Sequence, residues 1–135
     1  MAGLTRRLTS AVLGLLLAAG VASAAERLVP DVVIVFARGA GGVESADLPA
    51  LEQLTAKAKS GEAKWISLEA YAADQGSREM NLALAQRRIE DVSHHLITLG
   101  FPANRIRGTS YGEEHMDESP LPMRRVEIRL KSLRY

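Results

Sequence analysis

A long apolar stripe in the middle of the chain constrains the fold more than any other feature. Six apolar residues recur at intervals of three and four, which places them on one face of an α-helix: Leu82, Ala85, Ile89, Val92, Leu96 and Leu99. Gly100 and Pro102 follow as stop signals. The pattern predicts a helix from about Arg78 to Leu99 whose apolar face must be covered by another layer of the protein.

Segments with the pattern of β-strands lie on both sides of this helix and can supply that layer. Short runs of alternating or β-branched apolar residues predict four strands, at Asp31–Phe36, Trp65–Tyr71, Arg105–Tyr111 and Val126–Leu130. A first helix is predicted to begin at Asp47 or Leu48, with Pro49 in its first turn, and to end near Lys59 before Gly61. The order βαβαββ predicts a four-stranded sheet with both helices on one face.

The amino-terminal 24 residues have the three parts of a secretion signal. Arg6 and Arg7 precede an apolar run from Ala11 to Ala22, and Ala22-Ser23-Ala24 has the small-x-small form of a cleavage site. The apolar run is shorter than the ~20 residues that cross a bilayer. We expect residues 1–24 to be a signal peptide, residues 25–135 to be one domain, and no integral membrane span to remain after cleavage.

Composition narrows the chemistry of the exported domain. The sequence has no cysteine, which excludes disulfides, thiolate catalysis and a lipid-modified cysteine at the new amino terminus. Removal of Arg6 and Arg7 leaves 15 of the 17 basic residues against 16 acidic ones, so general attraction to nucleic acid or an anionic membrane is not favoured. Basic residues are concentrated between Met123 and Tyr135, so an anion-binding site in this segment is compatible with the sequence.

Asn81 and Arg88 are the most suggestive pair on the longer helix. Seven residues apart, they leave the same side of the helix at the border of the apolar stripe. A guanidinium with a packed stem at such a border can bind a carboxylate through two parallel hydrogen bonds. The alternative is that Arg88 only covers the edge of the stripe.

A series of short motifs around these residues resembles the OmpA-like family of periplasmic cell-wall-binding domains. The motifs are Gly76-Ser-Arg-Glu-Met-Asn81, Arg87-Arg88, Leu99-Gly100-Phe-Pro-Ala-Asn-Arg-Ile106, Tyr111-Gly112-Glu113 and Arg124-Arg125-Val126-Glu127-Ile128. The resemblance covers Val32 to Leu130. It implies an α+β two-layer sandwich with a mixed four-stranded sheet, in a protein of the periplasm associated with the cell wall or outer membrane of a Gram-negative-type envelope.

The resemblance also implies a function and a set of site residues. Family members hold the diaminopimelate side chain of the peptidoglycan stem peptide without covalent bonding. Arg88 matches the arginine that takes the ligand carboxylate, Asn81 matches a nearby asparagine, and Arg125 matches another arginine near the pocket. The implied partner is peptidoglycan, and the implied role is tethering to the cell wall or sensing it.

The chain departs from the family pattern at the residue that binds the ligand's amine. Ala73 stands where the family has an aspartate, and Asp74 is the nearest carboxylate. A shift of one residue turns a side chain to the other face of a strand, but at a strand end the backbone can compensate. Two hypotheses follow: Asp74 replaces the missing aspartate, or the pocket is degenerate and the domain binds another protein of an envelope assembly.

Other chemistries fit the sequence less well. The glycines at 39, 41 and 42 follow a strand but complete neither nucleotide-binding pattern, so no cofactor is expected. Residues 113–118 are rich in metal-ligand side chains, but no second cluster supports a metal site. No nucleophile is paired with a base in a recognisable motif, so we expect a binding protein and not an enzyme. A metal-dependent enzyme or sensor is the third reading.

Overall fold

Four strands form one mixed sheet. The computed structural model describes residues 29–74, 76–113 and 120–132, except for the side chain of Glu62. The strands are β1 (Val32–Val35), β2 (Trp65–Tyr71), β3 (Ile106–Gly112) and β4 (Arg125–Lys131), in the spatial order β1-β4-β2-β3. The central strand β4 is antiparallel to β1 and β2, and β2 is parallel to β3.

Two α-helices connect the strands. Helix α1 (Leu48–Lys57) has a proline in its first turn, as predicted, and follows a single 3₁₀ turn. Helix α2 (Arg78–Thr98) is capped at its amino-terminal end by Ser77, whose side chain accepts a hydrogen bond from the N–H of Met80. After α2, Gly100 has a φ of 101°, a conformation that glycine adopts readily and that ends the helix.

The core lies between the helices and one face of the sheet. Alternate strand residues point into it, including Ile66 and Leu68 on β2, Val126 and Ile128 on β4, and Ile34 on β1. The helices contribute apolar residues to the same cluster: Leu51 and Leu54 from α1, and Leu84, Ala85, Ile89, Val92 and Leu96 from α2. The predicted α+β fold with both helices on one face is confirmed.

The opposite face of the sheet carries charged residues in contact with one another. Arg125 forms an ion pair with Glu127 at 2.9 Å, and Glu127 also pairs with Arg129 at 3.0 Å. Arg129 reaches Glu69 on the neighbouring strand at 3.5 Å. These ion pairs give Glu127, which is 5% exposed, a basic partner on each side along β4.

Element boundaries differ from the predictions by one or two residues. Strand β1 is shorter than predicted at both ends, β3 begins one residue later and extends through Gly112, and β4 gains Arg125 and Lys131. The described residues from Asp31 onward form one compact unit. The predicted signal peptide, residues 1–24, lies outside the described residues, and no helix of the described part is long and apolar enough to cross a membrane.

Candidate functional site

A bulge lies at the ends of β2 and β3, next to the site residues. Ala70 pairs with Ser110, but the next residue, Tyr71, pairs with Gly112, so β3 contains one extra residue at this point. Gly112 has a φ of 60°, which a residue with a side chain rarely adopts. Its carbonyl accepts the N–H of Ala72 at 2.7 Å and carries the pairing past the end of β2.

Asp74 and Arg88 form a buried ion pair just beyond the end of β2. The carboxylate of Asp74 accepts two roughly parallel hydrogen bonds, from Nη1 to Oδ1 at 3.3 Å and from Nη2 to Oδ2 at 2.9 Å. Both side chains have 0% exposure. Because Asp74 lies beyond β2, the alternation of strand faces no longer restricts it, and it reaches Arg88 although Ala73 occupies the family's position.

The guanidinium of Arg88 has an acceptor for each of its five N–H groups. Asp74 takes two of them. Backbone carbonyls take the other three: Nε donates to Ala40 at 2.8 Å, Nη1 to Tyr71 at 3.2 Å and Nη2 to Ala37 at 3.4 Å. Arg88 therefore does more than cover the edge of the apolar stripe, because it joins α2, the end of β2 and the loop after β1.

Several groups favour the ionised form of Asp74. Burial alone raises the pKa of a carboxyl, but the hydrogen bonds from Arg88 and from the N–H of Gly39 and the charges of Arg88 and Arg124 outweigh it. The pKa of Asp74 is therefore held below its ordinary value. The Gly39 bond is 2.8 Å long and is made to Oδ2, the same oxygen that accepts from Nη2 of Arg88.

The glycine-containing loop at residues 37–43 forms a wall of this site. In addition to its contacts with Arg88 and Asp74, it is held by Asp91 of α2, whose carboxylate accepts the N–H of Val43 at 2.7 Å. The ring of Phe36, at the start of the loop, lies 4.9 Å from the guanidinium carbon of Arg88. The sequence predicted only a loop here and did not place it at the site.

Asn81 is buried one turn into α2. It is 1% exposed, and its Nδ2 donates to Oε2 of Glu113 at 3.0 Å. This contact joins the start of α2 to the residue that follows β3. Asn81 and Arg88 lie on the same side of α2, as the spacing predicts, and a role of Asn81 toward a ligand stays a prediction.

Arg125 lies apart from the Asp74–Arg88 pair. Its Nε donates to Glu127 at 2.9 Å, its Nη1 donates to the carbonyl of Pro122 at 2.8 Å, and it is 1% exposed. These contacts place Arg125 with the charged residues on the face of the sheet opposite to the helices. A direct role of Arg125 in ligand binding likewise stays a prediction.

Arg124, the first residue of the same arginine pair, is the site residue that the sequence did not single out. It is partly exposed, and its Nε donates to the carbonyl of Phe36 at 3.2 Å. Within the described residues that is the one hydrogen bond of its side chain, and its charge lowers the pKa of Asp74. Because Asp74 and Arg88 cancel each other's charge, Arg124 supplies the excess positive charge beside them.

Comparison with known proteins identifies the family. The OmpA family model matches residues 35–124, which include the last residue of β1, both helices, β2, β3 and the Asp74–Arg88 pair. This chain belongs to the OmpA family. The resemblance inferred from its motifs is confirmed, and the match covers most of the fold described above.

Curated relatives named peptidoglycan-associated lipoprotein resemble parts of the chain. The protein from Rhizobium meliloti is 45% identical over 49 residues, which are 36% of this chain and 28% of that protein. The protein from Pseudomonas aeruginosa is 32% identical over 96 residues, 64% of this chain and 57% of that protein. The chain thus spans less than two thirds of the length of these relatives.

Solved structures of OmpA-like domains share the fold. The peptidoglycan-associated lipoprotein of Burkholderia pseudomallei superposes with a TM-score of 0.64 at 26% identity, over 73% of this chain and 89% of that one. The carboxy-terminal domain of MotB from Helicobacter pylori gives a TM-score of 0.58 at 19% identity, over 72% of this chain and 81% of that one. At this lower identity, the similarity to MotB shows a shared fold alone.

The cluster considered as a metal site is only partly described. Glu113 is described and pairs with Asn81, but residues 114–118 lie outside the described residues. In the described part of the chain, no three histidine or carboxylate side chains are grouped closely enough to hold a metal ion.

Proposed function

We propose that this chain binds peptidoglycan non-covalently in the periplasm and so tethers a protein assembly to the cell wall or reports contact with it. The observation that carries the proposal is an OmpA-family fold in which the partly exposed Arg124 lies beside the buried Asp74–Arg88 pair, just beyond the end of β2. The names of the curated relatives support the same ligand.

The charges around the site suit a stem peptide. Diaminopimelate, the residue implied by the family resemblance, carries both a carboxylate and an amine, so it needs a cation and an anion close together. Arg124 supplies a partly exposed guanidinium beside the buried Asp74–Arg88 pair. We infer binding without catalysis, because the site consists of groups that recognise charge.

Sedimentation with isolated sacculi tests the proposal. The protein is purified after expression of the full sequence, mixed with sacculi and pelleted, and the bound fraction is measured against protein concentration. Wild type is expected to pellet in a saturable manner that weakens with salt, since ionic contacts are screened. Wild type that stays in the supernatant would refute wall binding and favour the alternative, a domain that binds an envelope protein.

Arg124→Ala is the most informative variant for this assay. Arg124 makes a single described hydrogen bond, so its removal should leave the fold intact while weakening sacculus binding about tenfold, the effect of one lost ionic contact. Arg105→Ala is the matched control, because Arg105 is exposed and precedes β3 at the opposite end of the sheet. Equal binding by both variants would remove Arg124 from the ligand site.

A further inference from the structure

The carboxylate-binding edge of Arg88 is already occupied. Arginine recognises a carboxylate by presenting two parallel N–H groups, and in this structure Nη1 and Nη2 present theirs to Asp74. The remaining three N–H groups of Arg88 are taken by backbone carbonyls. With 0% of its side chain exposed, Arg88 offers a ligand neither a free donor nor a surface to touch.

We propose that the carboxylate of Asp74 occupies the carboxylate-binding edge of Arg88 in place of a ligand. Asp74 thereby determines specificity, because it excludes ligand carboxylates from Arg88. For the carboxylates of the cell wall, the inference rests on the proposed function. For small carboxylates it is independent of that function, because it follows from the contacts of Asp74 and Arg88 alone.

Two features account for this position of Asp74. Its Oδ2 accepts the N–H of Gly39 at 2.8 Å, so the loop after β1 also holds the carboxylate. Strand β2 ends at Tyr71, three residues before Asp74, so strand pairing does not restrict the direction of the Asp74 side chain. The ion pair with Arg88 therefore forms without a carboxylate at position 73.

An attached carboxylate competes strongly with a free one. Asp74 pays no translational entropy to reach Arg88, so its effective concentration there is at least in the millimolar range. A ligand carboxylate must displace it and also replace the bond to Gly39. We therefore expect wild-type protein to ignore simple carboxylates at millimolar concentration.

Removal of the Asp74 side chain should create a site for a small carboxylate. Asp74→Ala leaves a guanidinium with two unsatisfied donors beside a space that a carboxylate group had filled. Propionate can supply the missing oxygens, and a molecule that binds only the folded state stabilises it by mass action. The variant should regain stability in propionate, whereas wild type should not.

Thermal unfolding of wild type and Asp74→Ala in sodium propionate is the direct experiment, with sodium chloride at equal ionic strength and with propionamide as the uncharged match. We expect a saturable rise in the Tm of Asp74→Ala in propionate, and no difference among the three solutes for wild type. An equal response of Asp74→Ala to propionate and propionamide, or an equal response of both proteins to propionate, would overturn the proposal.

Asp74→Ser covers the case in which the alanine variant does not fold in chloride. The serine hydroxyl keeps a polar group on the Gly39 side but is one bond shorter than the carboxylate, so it leaves room for propionate at Arg88. The readout is then the folded fraction of each variant in propionate relative to chloride, measured by circular dichroism. Recovery in propionate supports internal occupancy, and equal folded fractions in the two salts contradict it.

Sacculus binding of the same proteins separates this inference from the proposed function. Asp74→Ser should bind sacculi about tenfold more tightly than wild type, because it no longer blocks Arg88. If wild type pellets and the variant pellets less, Asp74 contacts the ligand and the occupancy proposal is wrong. If neither pellets while propionate still stabilises the variant, wall binding is refuted and the occupancy of Arg88 stands.

Discussion

Arg125 lies across the ring of Tyr71, with its guanidinium carbon 3.9 Å from the ring centroid. The backbone of the same tyrosine accepts a hydrogen bond from Arg88 at 3.2 Å. Tyr71 therefore contacts two buried arginines: its ring contacts Arg125 on the face opposite to the helices, and its carbonyl contacts Arg88 at the strand end. Its ring also stacks on Tyr111, the extra residue of the bulge, at 5.2 Å.

The ring of Tyr71 should matter far more to stability than its hydroxyl. Tyr71→Ala removes the surface on which Arg125 and Tyr111 pack and should lower the free energy of unfolding by about 3–5 kcal/mol. Tyr71→Phe keeps the ring and loses a 3.3 Å hydrogen bond to Glu69, a loss of about 1 kcal/mol. Urea denaturation measures both, and similar losses in the two variants would contradict this division.

The Asp74–Arg88 pair should make the protein sensitive to acid. The pKa of Asp74 is lower in the folded protein than its ordinary value of 3.8, so the folded state favours the ionised form. Its contribution to stability is complete above that ordinary value and is lost as the pH falls through the lower pKa of the folded state. Urea denaturation between pH 7 and pH 2 should show this loss in wild type.

Asp74→Asn should remove that part of the pH dependence. It should also lower stability at pH 7 by about 3–5 kcal/mol, because the buried charge of Arg88 loses its partner. Asp47→Asn is the matched control, since the side chain of Asp47 makes no capping hydrogen bond at α1. If Asp74→Asn keeps the acid slope of wild type, other carboxylates cause it.

The sequence predicts the fold well because the periodicity of its apolar residues is regular. The stripe of α2 and the alternation in β2 and β4 each specify a buried face, and these faces meet in one core. The site was predicted less completely. The motifs identified Arg88, and Asp74 was named only as the carboxylate nearest to Ala73. Spacing could not reveal that Asp74 pairs with Arg88, since that contact depends on the chain beyond β2 and on the loop at residues 37–43.

Arg124 and Arg125 illustrate the same limit. Neighbouring residues in a strand point to opposite faces, and Arg125, at the start of β4, turns toward Tyr71 and Glu127 while Arg124 precedes the strand and reaches the carbonyl of Phe36. The pair motif gives no indication of which arginine lies beside Asp74. That assignment requires the register of β4 against β1 and β2.

Asp91 should keep the loop at residues 37–43 in place. Its carboxylate accepts the N–H of Val43 at 2.7 Å, so Asp91→Ala should raise the hydrogen-exchange rate of the Val43 amide at least about fivefold, equivalent to a loss of about 1 kcal/mol. Glu90→Ala changes the adjacent exposed residue of α2 and should leave that rate unchanged. An unchanged rate in Asp91→Ala would show that other contacts hold the loop.

The packing of α2 on β3 depends on the absence of a side chain at Gly108. A Cβ built there would lie 2.4 Å from Cγ2 of Ile89, closer than carbon atoms approach. Because Ile89 is itself buried in the core, it has little room to move, and Gly108→Ala should lower the free energy of unfolding by about 1–3 kcal/mol.

Gly76→Ala is the matched control, since a Cβ at Gly76 would meet no atom within 4 Å. Urea denaturation should give Gly76→Ala a stability close to that of wild type. If Gly108→Ala is equally stable, the helix can shift on the sheet without cost, and the close approach of α2 to β3 is not needed to position Arg88.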